Sequence, residues 1–98
     1  KKYMSEHIYM FSSENINVRF SIPKTNYFLT DIIDKFGTGV KITETENNYV
    51  IDTKVNKAAM HQFAKAYVPF VTILSAQSLV DEMKNDLTQA LDNYEKGE

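Results

Sequence analysis

Ile16, Val18, Phe20 and Ile22 alternate with Asn17, Arg19 and Ser21, and Pro23 closes the run. A period of two is the mark of a strand with one buried and one wet face. The period then changes: Leu29, Ile32, Ile33 and Phe36 fall at i, i+3, i+4 and i+7, with Thr25 or Asn26 as cap and Gly37 at the stop, which predicts a helix. Segments 40–45 and 49–55 flank Asn47-Asn48, a pair that tolerates the positive φ of a tight hairpin turn. With these two as the loop, Glu46 lies opposite Tyr49, Ile42 opposite Thr53 and Val40 opposite Val55. Val40, Ile42, Ile51 and Val55 then share one face, and Lys41, Thr43, Asp52 and Lys54 the other. Asn56 is placed to cap a second helix striped by Met60, Phe63, Ala64 and Tyr67 and stopped before Pro69.

Pro69-Phe70-Val71-Thr72-Ile73-Leu74 crowds β-branched and aromatic residues as a buried strand does. From Ser75, a natural N-cap, the pattern becomes helical again. Val80, Met83, Leu87, Leu91 and Tyr94 form one stripe and leave Glu82, Lys84, Asn85, Asp86 and Asp92 largely in water. The order is β-α-β-β-α-β-α. Two split βαβ units predict an α+β fold, a ferredoxin-like sandwich with an antiparallel four-stranded sheet and an additional C-terminal helix. Right-handed crossovers would order the strands four, one, three, two, with both crossover helices on one face. The extra stripe has two uses. It folds back on its own domain, the commoner case, or its five apolar residues form an oligomer interface with a second copy.

The chain of 98 residues is long enough for one domain, burying roughly 60% to 70% of its unfolded surface without a metal or disulfide. It has no cysteine, which removes disulfides, zinc-thiolate sites and cysteine nucleophiles and is compatible with a reducing cytoplasm. No apolar run approaches the roughly 18 residues that span a bilayer, and no signal peptide is visible, so a soluble cytoplasmic protein without membrane contact is expected. The net charge of −2 and the single arginine, Arg19, argue against a dominant phosphate-binding surface. The chain begins with Lys1, and the Tyr-, His- and Met-rich lead from Tyr3 to Phe11 has no cap or turn signal. Residues 1–14 therefore read as a linker from a missing N-terminal region, and 15–98 as the domain.

Candidate chemistry is sparse. His7 and His61 have no metal or catalytic spacing and read as surface residues. Ser75 and Ser78 precede a helix, where a serine is more often a cap than a nucleophile. Glu44 and Glu46 near the hairpin turn read as solvated edge charge. Arg19, with Lys41 and Lys54 on the same polar face, is the candidate effector or anion site; the competing use of Arg19 is a wet ion pair with Asp52 on the neighbouring strand. An RNA-recognition module of the same strand order would stack bases on aromatics of the open face, where strand one offers Asn17, Arg19 and Ser21. Acylphosphatase-like chemistry would need a phosphate-cradling turn, and Ile22-Pro23-Lys24-Thr25 has no glycine to shape one. A non-catalytic protein with no cofactor and no metal is expected.

Several short segments carry a resemblance: Tyr9-Met10-Phe11-Ser12 leading to Asn17-Val18-Arg19-Phe20, then Phe63-Ala64-Lys65-Ala66-Tyr67, then Val71-Thr72-Ile73-Leu74-Ser75 followed by Leu79, and finally Leu87, Ala90, Leu91 and Tyr94. In order and spacing they resemble the C-terminal extension domain, WCX, of bacterial WYL-domain transcriptional regulators. Ala76 stands where that family usually has proline, and Ala66-Tyr67 replaces its usual aromatic-glycine helix end. The resemblance implies a regulatory and dimerisation domain of a regulator that is a homodimer and meets DNA only through a missing N-terminal domain. It also implies ligand sensing of a nucleotide or nucleic-acid effector, with Arg19 as a possible contact. The alternative is a free-standing ferredoxin-like domain that senses a small ligand or anion.

Overall fold

Alternation along the first strand sets the architecture. The structure, a computed structural model, describes residues 14–24, 34, 36 and 39–97. In β1 (Asn15–Pro23), Val18, Phe20 and Ile22 are buried while Asn17 and Arg19 are exposed. The remaining elements are β2 (Lys41–Glu44), β3 (Asn48–Asn56), α1 (Lys57–Ala66), β4 (Thr72–Ser75) and α2 (Gln77–Lys96). The lead segment with His7 lies outside the described residues. So does most of the helix expected over 26–36, with Leu29, Ile32 and Ile33; only Asp34 and Phe36 are described there, both helical.

The sheet is antiparallel in the order β2-β3-β1-β4, so β1 and β3 are its inner strands. With two helices among the described residues, this is an α+β architecture compatible with a ferredoxin-like fold. The register pairs Ile16 with Val55, Phe20 with Ile51 and Ile22 with Tyr49 on one face, and Asn17 with Lys54 and Arg19 with Asp52 on the other. Phe20 also faces Ile73 of β4, where a bulge lets Ser75 come opposite Arg19.

α1 lays Met60, Phe63 and Ala64 on the apolar face. Phe63 sits 6.1 Å from the Phe20 ring, and Phe36 lies 5.6 Å from Phe20 and 5.3 Å from Phe63, edge-on to the latter. These separations fall where offset and T-shaped ring pairs are favourable. Phe36, the described apolar residue of the first crossover, therefore packs on the same side of the sheet as α1. Asn56 caps α1 as its sequence position predicts, accepting a hydrogen bond from the Ala59 N–H at 3.0 Å while itself buried.

The hairpin differs from its expected register. Glu44, not Glu46, lies opposite Tyr49, and Ile42 faces Ile51 instead of Thr53. Asn48 belongs to β3 because it pairs with Pro23 of β1, and the Lys24 N–H bonds the Asn47 carbonyl at 3.1 Å. The turn is closed by Thr45, whose N–H and hydroxyl both donate to the Asn48 carbonyl, at 2.8 and 2.9 Å. An offset of two residues keeps every side chain on its expected face, so Ile51 and Val55 are buried, Val40 packs against the core and Ile42 sits half-exposed on the edge strand.

Two further expectations are corrected at the end of the chain. Pro69 and Phe70 are not in a strand: the N–H groups of Phe70 and Val71 bond the Tyr67 carbonyl, at 2.7 and 3.2 Å, and this turn delays β4 to Thr72. Ser75 is the last residue of β4 and not a cap, because the sheet recruits its backbone opposite Arg19. Ala76 takes the N-cap position with extended backbone and no side-chain bond. Leu79 and Met83 anchor α2 in the core, with Val80 packed against it.

An ion-pair ladder links α2 to α1. Lys57 reaches Glu82 at 2.9 Å, and His61 lies between two carboxylates, 3.3 Å from Glu82 through Nδ1 and 2.6 Å from Asp86 through Nε2. Lys65 adds a longer approach to Asp86 at 3.9 Å. His61 is thus a part-buried bridge between helices and not the isolated surface residue expected from its spacing.

Asn56→Ala should lower the unfolding free energy by about 1 to 2 kcal/mol in urea titrations, whereas Ser75→Ala should stay within about 0.5 kcal/mol of wild type. A double-mutant cycle on Lys57 and Glu82 should give a coupling of about 0.2 to 1 kcal/mol that shrinks in molar salt, as a partly exposed pair requires.

Candidate functional site

Two surfaces carry the residues singled out by the sequence. The first is the open face of the sheet. Arg19 Nε donates to Asp52 Oδ1 at 2.8 Å, with the two side chains 56% and 30% exposed. The pair follows from register, since β1 and β3 place these residues directly opposite each other. A shallow cavity of about 440 Å³ beside it is lined by Asn17, Arg19, Asp52, Lys54 and Ser75. The structure thus brings Arg19 and Lys54 to one cavity, while Lys41, opposite Asp52 on edge strand β2, stands outside its lining. An incoming anion would compete with Asp52 for Arg19. At this exposure that competition is worth at most about 1 kcal/mol.

On this face β1 presents Asn17, Arg19 and Ser21 and β3 presents Val50, Asp52 and Lys54. None of them offers a ring on which a base would stack. Glu44 is engaged by Lys24 Nζ at 2.6 Å, and that ammonium also lies 5.7 Å from the centre of the Tyr49 ring. Glu46 is exposed in the turn, and Ser78 is exposed in the first turn of α2.

The second surface is apolar. A groove of about 410 Å³ runs between the segment entering β4 and the first half of α2, lined by Val68, Val71, Ile73, Val80, Met83 and Leu87, with Lys84 as the charged side chain among the described lining residues. Beyond the groove, α2 continues past the described residues that cover it. Exposure climbs along the stripe from 6% at Met83 to 45% at Leu87, 57% at Leu91 and 85% at Tyr94. The five predicted interface residues therefore divide. Val80 and Met83 belong to the core and the groove floor, and only Leu87, Leu91 and Tyr94 form a free apolar face.

Sequence reasoning left Leu79, the fully buried anchor of α2, off the helix stripe, and it missed Val68 in the wall of the groove. The i, i+4 line from Leu79 through Met83 to Leu87 is a signal that marks the first. For the second there is none, because the wall is made by the turn that replaces the beginning of the expected strand. No helix among the described residues is long and apolar enough to cross a membrane. Comparison with protein-family models, with curated proteins and with solved structures returned no match to this chain.

Proposed function

We propose that this chain is a non-catalytic regulatory and dimerisation domain with a ferredoxin-like core, of the kind that its resemblance to the C-terminal extension of WYL-domain transcriptional regulators implies. In that setting it serves a cytoplasmic, homodimeric regulator that contacts DNA through a separate N-terminal domain. The observation that carries the reading is the outer half of α2. Leu87, Leu91 and Tyr94 form an apolar stripe at rising exposure, and solvating such a contiguous patch is costly unless a partner covers it. The element order supports the same reading, since α2 follows β4 as an element additional to the four strands and α1.

A second reading, a small-ligand or anion sensor, is favoured by one specific observation. Arg19 and Lys54 line the same open-face cavity. In this reading Arg19 binds the anion, and Lys41 and Lys54 supply the surrounding positive field. The effector would be a nucleotide or another phosphate-bearing ligand, recognised through the planar guanidinium.

Size-exclusion chromatography with light scattering should give twice the mass of one chain at micromolar concentration, and a monomer throughout would remove the dimerisation reading. Titration with inorganic phosphate and with a nucleotide, followed by amide chemical shifts, tests the sensor. Arg19→Ala should abolish the shifts at Asn17, Lys54 and Ser75 and Asp52→Asn should tighten binding, whereas identical titrations of wild type and Arg19→Ala would exclude the open face as an anion site.

A further inference from the structure

We propose that two copies pair by laying α2 antiparallel on α2 about a two-fold axis at Leu87, so that Leu91 and Tyr94 of each copy fill the apolar groove of the other. This rests on the dimerisation reading and adds the geometry of the contact.

The chain carries both the projections and the hole. Leu91 and Tyr94 lie about 6 and about 10 Å beyond Leu87 along the helix axis, at 1.5 Å per residue, and so stand past the end of their own groove, whose helical wall is Val80, Met83 and Leu87. A two-fold axis at Leu87 reverses that displacement. Residues at equal distances before and after Leu87 come face to face, which sets the partner's Leu91 against Met83 and the partner's Tyr94 against Val80. Val71 and Ile73 close the far side of the groove around them. At 100° per residue, Val80, Leu87, Leu91 and Tyr94 fall in one narrow stripe, so a single line of contact uses them all. Such self-complementarity is what an isologous interface requires.

Charge supports the same orientation. Lys84 lines the groove, and Glu95 lies on the same flank of the stripe, about 20° away around the helix. In an antiparallel helix pair like flanks face each other. Lys84 therefore stands about 7 Å along the axis from the partner's Glu95, within reach of two long side chains, and symmetry makes the pair twice. The ladder from α1 occupies the opposite flank, where Glu82 and Asp86 are already engaged, and so leaves the stripe unobstructed.

The absence of native cysteine makes single introduced thiols unambiguous reporters. Leu87→Cys should form a disulfide-linked dimer on mild oxidation, and an equimolar mixture of Val80→Cys and Tyr94→Cys should link more than either alone. Asp92→Cys, on the far side of the helix, should stay largely unlinked. Leu91→Ser and Tyr94→Ala should each raise the dimer dissociation constant about tenfold or more with unchanged far-ultraviolet circular dichroism, since both side chains are exposed in the single chain. Lys84→Glu should weaken pairing, and Lys84→Glu with Glu95→Lys should restore it. A wild-type dimer in which Leu87→Cys does not link, or Asp92→Cys links as readily, overturns this geometry and leaves the dimerisation reading intact. A wild-type chain that stays monomeric overturns both.

Discussion

The structure depends on β1 being hydrogen-bonded on both edges and buried on one face. Phe20 is fully buried, stands opposite Ile51 on one side and Ile73 on the other, and meets the rings of Phe36 and Phe63 above the sheet. A slip of one residue would carry Phe20 into water and Arg19 into the core, so the register is held by the burial of Phe20. Because side chains alternate, burial of Phe20 also decides the other face. Arg19 has to point out beside Asp52 and Ser75, and β1 and β3 present a largely polar open face without aromatic rings.

That one-sided core leaves α2 divided. Its first half is drawn in by Leu79 and Met83, and Glu82 and Asp86 turn toward Lys57 and His61 of α1. Once those contacts set the rotation of the helix, Val80 and Leu87 face the groove and Leu91 continues their stripe beyond it. The ion pairs are individually weak, yet their position selects which flank of the helix is taken. The second half, past the end of the two-layer core, keeps the same apolar period with nothing from the described part of the domain over it. A helix that is apolar on one face along its whole length, but covered along only half of it, is how a fold presents a surface for another molecule.

Much of this was legible before any coordinates. β1 is an unbroken alternation, α1 is a stripe behind a capping asparagine, and both occur where the periodicity puts them. The Arg19–Asp52 pair was also legible, because it needs only the two strands to be neighbours in the proposed order. The hairpin register was not. An offset of two residues leaves every face unchanged, so the hydrophobic pattern is blind to it, and the decision passed to Asn48 pairing with Pro23 and to the Thr45 turn. The beginning of β4 was hidden similarly: Pro69-Phe70-Val71 is apolar enough for a strand, but the Tyr67 carbonyl holds it in a turn. His61 looked isolated because its partners, Glu82 and Asp86, are distant in sequence and belong to another helix.

The chain by itself determined which residues are apolar on each element, and hence the α+β class, the polar character of the open face and the existence of a long stripe on the last helix. These are local properties, set by periods of two and of 3.6 that each segment carries alone. Only the tertiary structure decided how far the core reaches along that helix. Coverage is a relation between elements: the same stripe is core at Met83, groove floor at Val80 and free surface at Tyr94, because the sheet ends before the helix does.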